Sequence, residues 1–450
     1  MNKVEKYNVP GPRYTSYPTV PYWDENTFTV DAWKRTIRSD LDKANNSISL
    51  YIHLPFCESL CTFCACNKRI TKRHDVERPY IEAIIKEFDL YLSTLTVIPK
   101  VKELHLGGGT PTFFSAGNLE MLIGEILSRT EESSQKDFSF EGHPNNTTYE
   151  HLKTLYDLGF RRVSFGIQDY NPKVQMAIHR VQSFDRVKRV TEIAREIGYT
   201  SVGHDLIFGL PHQKVADIEN TIALTSSVMP DRIAFYSYAH VPWMKGNGQR
   251  GFKEEDLPAA RSKREQYEIG KKKLEEAGYF ELGMDHFALP ADTLYKAYQQ
   301  GKMHRNFMGY TTTKTNKLIG LGVSAISDSW YGFAQNEKKL EDYYEKLNSG
   351  QLPVFRGHIL SDKDLVIRQH ILNLMCDLKT DWKNNELYIP EIPDILLNLM
   401  EMQEDDLLAI DATSIQVKPA GRAFIRNICM AFDLRLKEQR PERQLFSKTI

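Results

Sequence analysis

Four cysteines fall within one short run, Cys57-Glu-Ser-Leu-Cys61-Thr-Phe-Cys64-Ala-Cys66, and the rest of the chain adds only Cys376 and Cys429. Thiolates are ligands for soft metals and iron-sulfur clusters. A structural zinc site usually takes two matched Cys pairs brought together by an intervening loop. One local run with three unequal spacings instead wraps a single centre, and a cubane iron-sulfur cluster accepts three thiolates from one loop. An iron left without a protein thiolate keeps an open position, as catalytic metals do, so the site would be chemical as well as structural. Zinc, or thiols that merely fill a core, is the alternative. Spacing leaves open whether Cys66 is a ligand. Cys376 and Cys429 lie in apolar helical stretches and read as core thiols.

A second group of residues has the types and places expected of a ligand site. Gly107-Gly108-Gly109 directly follows the apolar run Glu103-Leu-His-Leu106 and precedes Thr110-Pro111. Glycines there let the backbone come close to a ligand and present N–H donors. No Gly-Lys-Ser/Thr follows, so it is not a phosphate-binding Walker loop. Glu141, Gln168, Asp205 and Ala239 each stand at or near the end of a strand candidate. Arg180, in a helix-to-loop stretch, reads by itself as a solvated charge. The run Gly320-Leu-Gly-Val-Ser-Ala325 matches a dinucleotide fingerprint in letters only, because neither a βαβ unit nor a ribose-binding acid follows it. The histidines show no metal-ligand spacing. His53, two residues before Pro55 of the cysteine loop, is a candidate to support that loop from behind.

The elements that must position these residues repeat in a simple order. Strand candidates near 49–54, 103–106, 138–141, 162–166, 201–209 and 232–238 alternate with amphipathic stretches. In those stretches Ile81, Ile84, Ile85 and Phe88, or Leu119, Leu122, Ile123 and Ile126, recur at helical spacing. This alternation predicts parallel strands joined by crossover helices, with the ligand site at the strands' carboxyl ends. Six units are too few for a closed eight-unit barrel, so an α/β fold with a partial (βα)6 barrel is expected over residues 48–245. Residues 1–47, rich in Pro and aromatics, are expected to be an ordered extension over the active site. Residues 246–358, read as helices and loops, would complete the barrel and contact substrate. Residues 359–450 would form a mostly helical C-terminal domain with a winged-helix-like order. There Glu401, Glu404, Asp405 and Asp406 stand where a DNA-binding face needs cations, so it is read as a packing or lid domain.

At 450 residues the chain can bury a large core, and its net charge of -1 gives no electrostatic case for nucleic acid or an anionic membrane. No apolar run approaches membrane-spanning length and the N-terminus lacks a signal-peptide pattern, so the expected place is the cytoplasm.

The run Cys57-x3-Cys61-x2-Cys64, with Phe63 before the last cysteine, resembles the signature of radical S-adenosylmethionine (SAM) enzymes. With Cys66 and the preceding Tyr51-Ile-His-Leu-Pro-Phe56, it is similar to the oxygen-independent coproporphyrinogen III oxidases of anaerobic haem synthesis. The likeness continues in order through "PGPRYTSYPT", "LHLGGGTPTF", "FEGHP", "FGIQDYNPKVQ", "HDLIFGLP", "YAHVP", "GMDHFALP", "HRNFMGYTT", "LGVSAIS" and "GRAFIRNICMAFD".

That resemblance implies that Cys57, Cys61 and Cys64 hold a 4Fe-4S cluster and that Cys66 does not. It further implies two SAM molecules. The first would lie against Tyr51, Gly108, Glu141 and Ile326, the second against Phe63, Gly109, Thr110, Gln168, Arg180, Asp205 and Ala239. The implied reaction turns two propionates of coproporphyrinogen III into vinyls, giving protoporphyrinogen IX, by means of a 5'-deoxyadenosyl radical made from SAM. No side-chain base can take a proton from an unactivated propionate β-carbon, so a cofactor must break that bond. No catalytic side chain is assigned. The implied partners are the substrate and an external low-potential electron donor such as a flavodoxin or ferredoxin, with the enzyme itself expected to be a monomer. Arg13 and Arg305 are candidates to pair with propionates. The rival within the superfamily is a haem chaperone without oxidase activity, but such relatives carry an aromatic where Cys66 stands and lack the N-terminal "PGPRYTSYP". A plain iron-sulfur electron carrier would not need Glu141, Gln168 and Asp205.

Overall fold

Each of the six apolar runs forms a strand, and all six pair in parallel: β1 (Ser47–Leu54), β2 (Lys100–Gly108), β3 (Asp137–Gly142), β4 (Phe160–Gln168), β5 (Ser201–Phe208) and β6 (Arg232–Ser237). This computed structural model describes residues 3–24, 26–38, 46–243, 248–249, 251–439 and 443–449; the boundary expected at 245 lies outside the described residues.

The strands are joined by helices on one face: α1 (Glu77–Leu92), α2 (Ala116–Ser128), α3 (Tyr149–Asp157), α4 (Phe184–Ile197) and α5 (Val215–Ser227), with α6 (Ala260–Glu276) following β6. The helical spacing works as expected: Ile81, Ile84 and Phe88 of α1, and Leu119, Leu122, Ile123 and Ile126 of α2, are completely buried. They belong to one continuous core with Leu50, Ile52, Leu104, Leu106, Phe138 and Phe140 of the sheet. Burying a Leu, Ile or Phe side chain contributes about 1.5–3 kcal/mol, which is what holds the crossover helices to the sheet.

The sheet is wider than six strands. Among the described residues it has twelve, the others being β7 (Phe280–Leu282), β8 (His286–Ala288), β9 (Lys317–Leu321), β10 (Ile326–Ser329), β11 (Gly332–Asn336) and β12 (Val354–Ile359). The order is β12-β11-β10-β9-β1-β2-β3-β4-β5-β6-β8-β7, so the parallel strands form a partial barrel flanked by antiparallel edges. The stretch 246–358, expected as helices and loops, therefore carries six strands of this sheet and a separate hairpin, His304–Asn306 with Gly309–Thr311, and β9 adds a seventh parallel strand beside β1. These strands were not visible in the sequence because they are short and their burial does not alternate: every residue of β9, β10 and β11 is buried, so no two-residue period appears. The strand β9 turns at Gly322 straight into antiparallel β10, so no helix follows the glycine run and its likeness to a dinucleotide fingerprint has no structural counterpart.

A separate core unites α7 (Asp362–Asp377), α8 (Ile392–Glu404) and α9 (Ile425–Phe432) with Tyr7, Tyr14 and Tyr17 of the N-terminal segment. Three short strands, Lys379–Asp381, Leu408–Asp411 and Ser414–Val417, complete it. Two of the acids noted in the sequence have a structural task here, since Lys6 pairs with Glu401 at 2.8 Å and with Asp405 at 2.5 Å. The N-terminal segment also reaches the barrel: Trp23 stacks on Phe333 at 5.4 Å, and Trp33 and Ile37 enter the main core.

Candidate active site

The cysteine loop leaves the carboxyl end of β1 and folds back on itself. A two-residue strand, Phe56–Cys57, pairs in parallel with Arg69–Ile70, which sets Cys57 opposite Ile70. The loop after β2 lies against its entry, the Gly109 N–H donating to the Leu54 carbonyl at 2.8 Å and the Thr110 N–H to the Phe56 carbonyl at 3.0 Å. Only glycine fits at 109, because a Cβ there would stand 2.6 Å from the Pro55 carbonyl carbon. Gly108 has φ +107°, a left-handed conformation that side chains rarely adopt.

The loop and the strand ends enclose a cavity of about 690 Å³. It is lined by Cys57, Cys61, Cys64 and Cys66, by Phe63, Gly108, Gly109 and Thr110, and by Glu141, Gln168, Arg180 and Asp205. Residues from six separate chain segments thus face one space at the carboxyl ends of the strands, where α/β folds place their ligands.

Each of the three expected ligand cysteines has a donor or cation close by. The Thr110 hydroxyl donates to the Cys57 sulfur at 3.4 Å, and Arg180 Nη1 donates to the Cys61 sulfur at 3.8 Å. Lys68 Nζ donates to the Cys64 carbonyl at 3.1 Å. Burial pushes the Cys57 thiol up to about 11. A hydrogen bond with Cys66 pulls the Cys64 thiol below the ordinary thiol range, helped by Lys68, and the same bond pushes Cys66 up. The pairing favours thiolate at Cys64, the form that binds metal. Among the described residues no three His, Cys, Asp or Glu side chains converge tightly enough for a single metal ion. A four-iron cluster makes no such demand, since its irons sit at separate corners and each takes one thiolate. The donor set, three thiols on one cavity with positive charge beside them, therefore fits an anionic iron-sulfur cluster.

Glu141 closes the strand-end side. Its Oε1 lies 3.5 Å from His105 Nε2, and the His105 Nδ1 bonds the Ser139 hydroxyl at 2.8 Å. Tyr51 stacks on His105 at 6.1 Å and its hydroxyl lies 3.0 Å from His53 Nδ1. The other His53 nitrogen bonds the Asn67 carbonyl at 2.8 Å, so a Tyr–His pair ties β1 to the exit of the cysteine loop. Asp205 Oδ1 accepts from the Ser164 hydroxyl at 2.9 Å, while burial and the charge of Glu141 push its carboxyl up to about 7. Gln168 has φ 70°, an uncommon left-handed turn at the end of β4 that Gln182 secures by donating to the Ile167 carbonyl at 2.6 Å.

Three expected residues lie elsewhere. Tyr51 reaches the site through His105 and His53. Ala239 is tied to it by Gln249, whose side-chain nitrogen donates to both the Ala239 and Phe63 carbonyls at 3.0 Å. Ile326 packs with Trp23, Phe333 and Leu360 and does not line the cavity.

Sequence reasoning missed Lys68, Gln249 and the cavity-lining His143, whose imidazole burial holds down at about 3. Lys68 was hidden in a charge run, and nothing local marks Gln249. A smaller cavity of about 140 Å³ inside the barrel shares Glu141 and Asp205 with the main one and is lined by Tyr236, His286 and Tyr310. Arg13 and Arg305 line neither cavity. Arg13 donates to the Ser237 carbonyl at 2.6 Å, and Arg305 sits over the Tyr310 ring at 4.6 Å.

Comparison with known proteins gives a consistent picture. Residues 51–225 match the family model of the radical SAM superfamily. The oxygen-independent coproporphyrinogen III oxidase of Helicobacter pylori strain J99 is 38% identical, over 100% of this chain and 99% of that protein. The enzyme of the same name from Escherichia coli K12 is 36% identical, over 99% of this chain and 97% of that one. A solved structure of coproporphyrinogen III oxidase from Escherichia coli, described as a radical SAM enzyme, superposes with a TM-score of 0.88 at 34% identity, covering 94% of this chain and 97% of that one.

Proposed function

This chain belongs to the oxygen-independent coproporphyrinogen III oxidases, oxidoreductases of the radical SAM superfamily, and from that membership we propose that it converts two propionates of coproporphyrinogen III to vinyls, releasing protoporphyrinogen IX. The superfamily implies a 4Fe-4S cluster and SAM. When bound, that pair supplies a carbon-centred radical able to take a hydrogen atom from an unactivated C–H bond.

In this reading Cys57, Cys61 and Cys64 hold the cluster and Cys66 stays outside the ligand set. Thr110, Arg180 and Lys68 offset its negative charge. Two SAM molecules bind at the carboxyl ends of the strands, where the main cavity opens. Tyr51, Gly108, Glu141 and Ile326 serve the first, where Glu141 has the charge to hold an ammonium or ribose hydroxyls. Phe63, Gly109, Thr110, Gln168, Arg180, Asp205 and Ala239 serve the second. The chain's task is to orient these molecules against the substrate and to keep out water, which positioned loops at strand ends achieve without a side-chain base. The N-terminal extension, residues 1–47, and the C-terminal domain, 359–450, cover the barrel of 48–245 and its completing region, 246–358.

An external low-potential donor such as a flavodoxin or ferredoxin delivers electrons. We place the enzyme in the cytoplasm as a monomer, free of nucleic acid and membrane; no helix among the described residues is long and apolar enough to cross a membrane.

The observation that carries the proposal is that the three thiols open on the same cavity as Glu141, Gln168, Arg180 and Asp205. The test is anaerobic reconstitution with iron and sulfide, followed by measurement of 5'-deoxyadenosine. Release that depends on coproporphyrinogen III supports the reading, and release indifferent to it removes the substrate assignment.

A further inference from the structure

The outer side of the cysteine loop carries an unusual charge distribution. Between Glu58 and Asp75 there is no acid, yet Lys68, Arg69, Lys72 and Arg73 fall within that interval, in a chain whose 58 Lys and Arg nearly balance its 59 Asp and Glu. The side chains of Arg69 and Arg73 are 59% and 78% exposed. Their partners, Glu341 and Asp75, are themselves largely exposed, so water screens these pairs and they exchange readily for others. Ile70 stands among the cations with 44% of its surface in water.

This strip lies directly against the expected cluster. Ile70 is the register partner of Cys57, and the Thr71 N–H donates to the Cys57 carbonyl at 2.9 Å. The strip is therefore one strand spacing, about 4.8 Å, from the backbone of a ligand cysteine. An exposed apolar residue in a run of exposed cations, a short distance from a redox centre, suits brief electrostatically steered docking.

We propose that the exposed segment 69–73 is the docking surface for an acidic, low-potential electron-transfer protein, a proposal that rests on the function above. One electron leaves the donor's reduced flavin or iron-sulfur group and enters the centre held by Cys57, leaving the donor oxidised by one electron. The cations steer the acidic donor, and Ile70 gives it a dry point of contact.

The test uses the full chain, anaerobically reconstituted, with an acidic flavodoxin in its hydroquinone form as probe. Lys72→Glu combined with Arg73→Glu is expected to weaken flavodoxin binding about tenfold at low salt, to flatten its salt dependence and to slow bleaching of the cluster by flavodoxin. Bleaching by photoreduced deazaflavin, a small neutral reductant that needs no docking, is expected to be unchanged. Unaltered flavodoxin binding overturns the proposal. So does an equal loss with deazaflavin, which would assign the strip to holding the loop. Release of 5'-deoxyadenosine with deazaflavin and coproporphyrinogen III checks the enzymatic reading independently of this face.

Discussion

Arg180 grips the Cys61 sulfur and the end of β4 together: Nη1 donates to Cys61 Sγ at 3.8 Å and Nη2 to the Gly166 carbonyl at 2.5 Å. One guanidinium thus fixes the cysteine loop against the strand end that carries Gln168. It reaches there because the segment around Ala177 and Ile178 accepts hydrogen bonds from Thr62, the hydroxyl at 2.9 Å and the N–H at 3.0 Å.

Replacing this brace with Lys keeps the charge but removes the planar fork. Arg180→Lys is expected to retain iron and lose about tenfold in SAM-dependent 5'-deoxyadenosine release, about 1.4 kcal/mol. Iron content and the rate of release, measured on the same preparation, check this. Unchanged release would show that charge alone suffices.

Gly109→Ala places a methyl group 2.6 Å from the Pro55 carbonyl carbon and 2.8 Å from the Leu54 oxygen, both of them backbone. The loop must move, at a cost of about 1–3 kcal/mol. The expected result is a lower melting temperature together with reduced iron loading. A variant with normal melting and normal iron would show that the loop yields freely.

Cys66 and Cys64 differ in the state of their thiols, because the bond between them favours thiolate at 64 and thiol at 66. Cys66→Ser is expected to keep full iron and sulfide content and the change in electron paramagnetic resonance signal on adding SAM. Cys64→Ser loses both. Iron loss in the Cys66 variant would make the fourth thiol a ligand.

Asp205 sets a pH dependence. Burial and the Glu141 charge push its carboxyl up to about 7, so it is protonated in mildly acidic solution. A carboxylate accepts ligand hydrogen bonds better than a carboxylic acid, so SAM affinity is expected to rise as pH passes upward through about 7. Calorimetric titration across that range checks the slope, which Asp205→Asn should flatten. For the ligand-free fold the sign is opposite: the native state binds the extra proton, so this group's stabilisation, complete below the ordinary carboxylate range, is lost as pH rises through about 7.

Much of the site was written along the chain. The cysteine spacing, the glycine turn after β2 and the acids at the ends of β3 and β5 are local features. Strands hold consecutive residues at fixed directions, so a residue at a strand's carboxyl end can be placed on the ligand face before any tertiary contact is known. The six parallel strands were legible for a similar reason, since each is a contiguous apolar run bounded by helical periods. The short strands β9 to β11, buried throughout, carry no such period. Nor does sequence alone bring β9 beside β1, where Ser49 meets Leu318.

The amino-acid order by itself determined the thiol loop, the alternation of strand and helix and the acidic strand ends, because each depends on neighbours within a few residues. Only the tertiary structure decided which distant groups serve those features: Arg180 on Cys61 across 119 positions, Gln249 joining Phe63 to Ala239, and Ile326 turned into a core with Trp23. Such pairings follow from burying one continuous apolar core across the whole sheet, a free energy summed over the chain and not recorded in any short stretch of it.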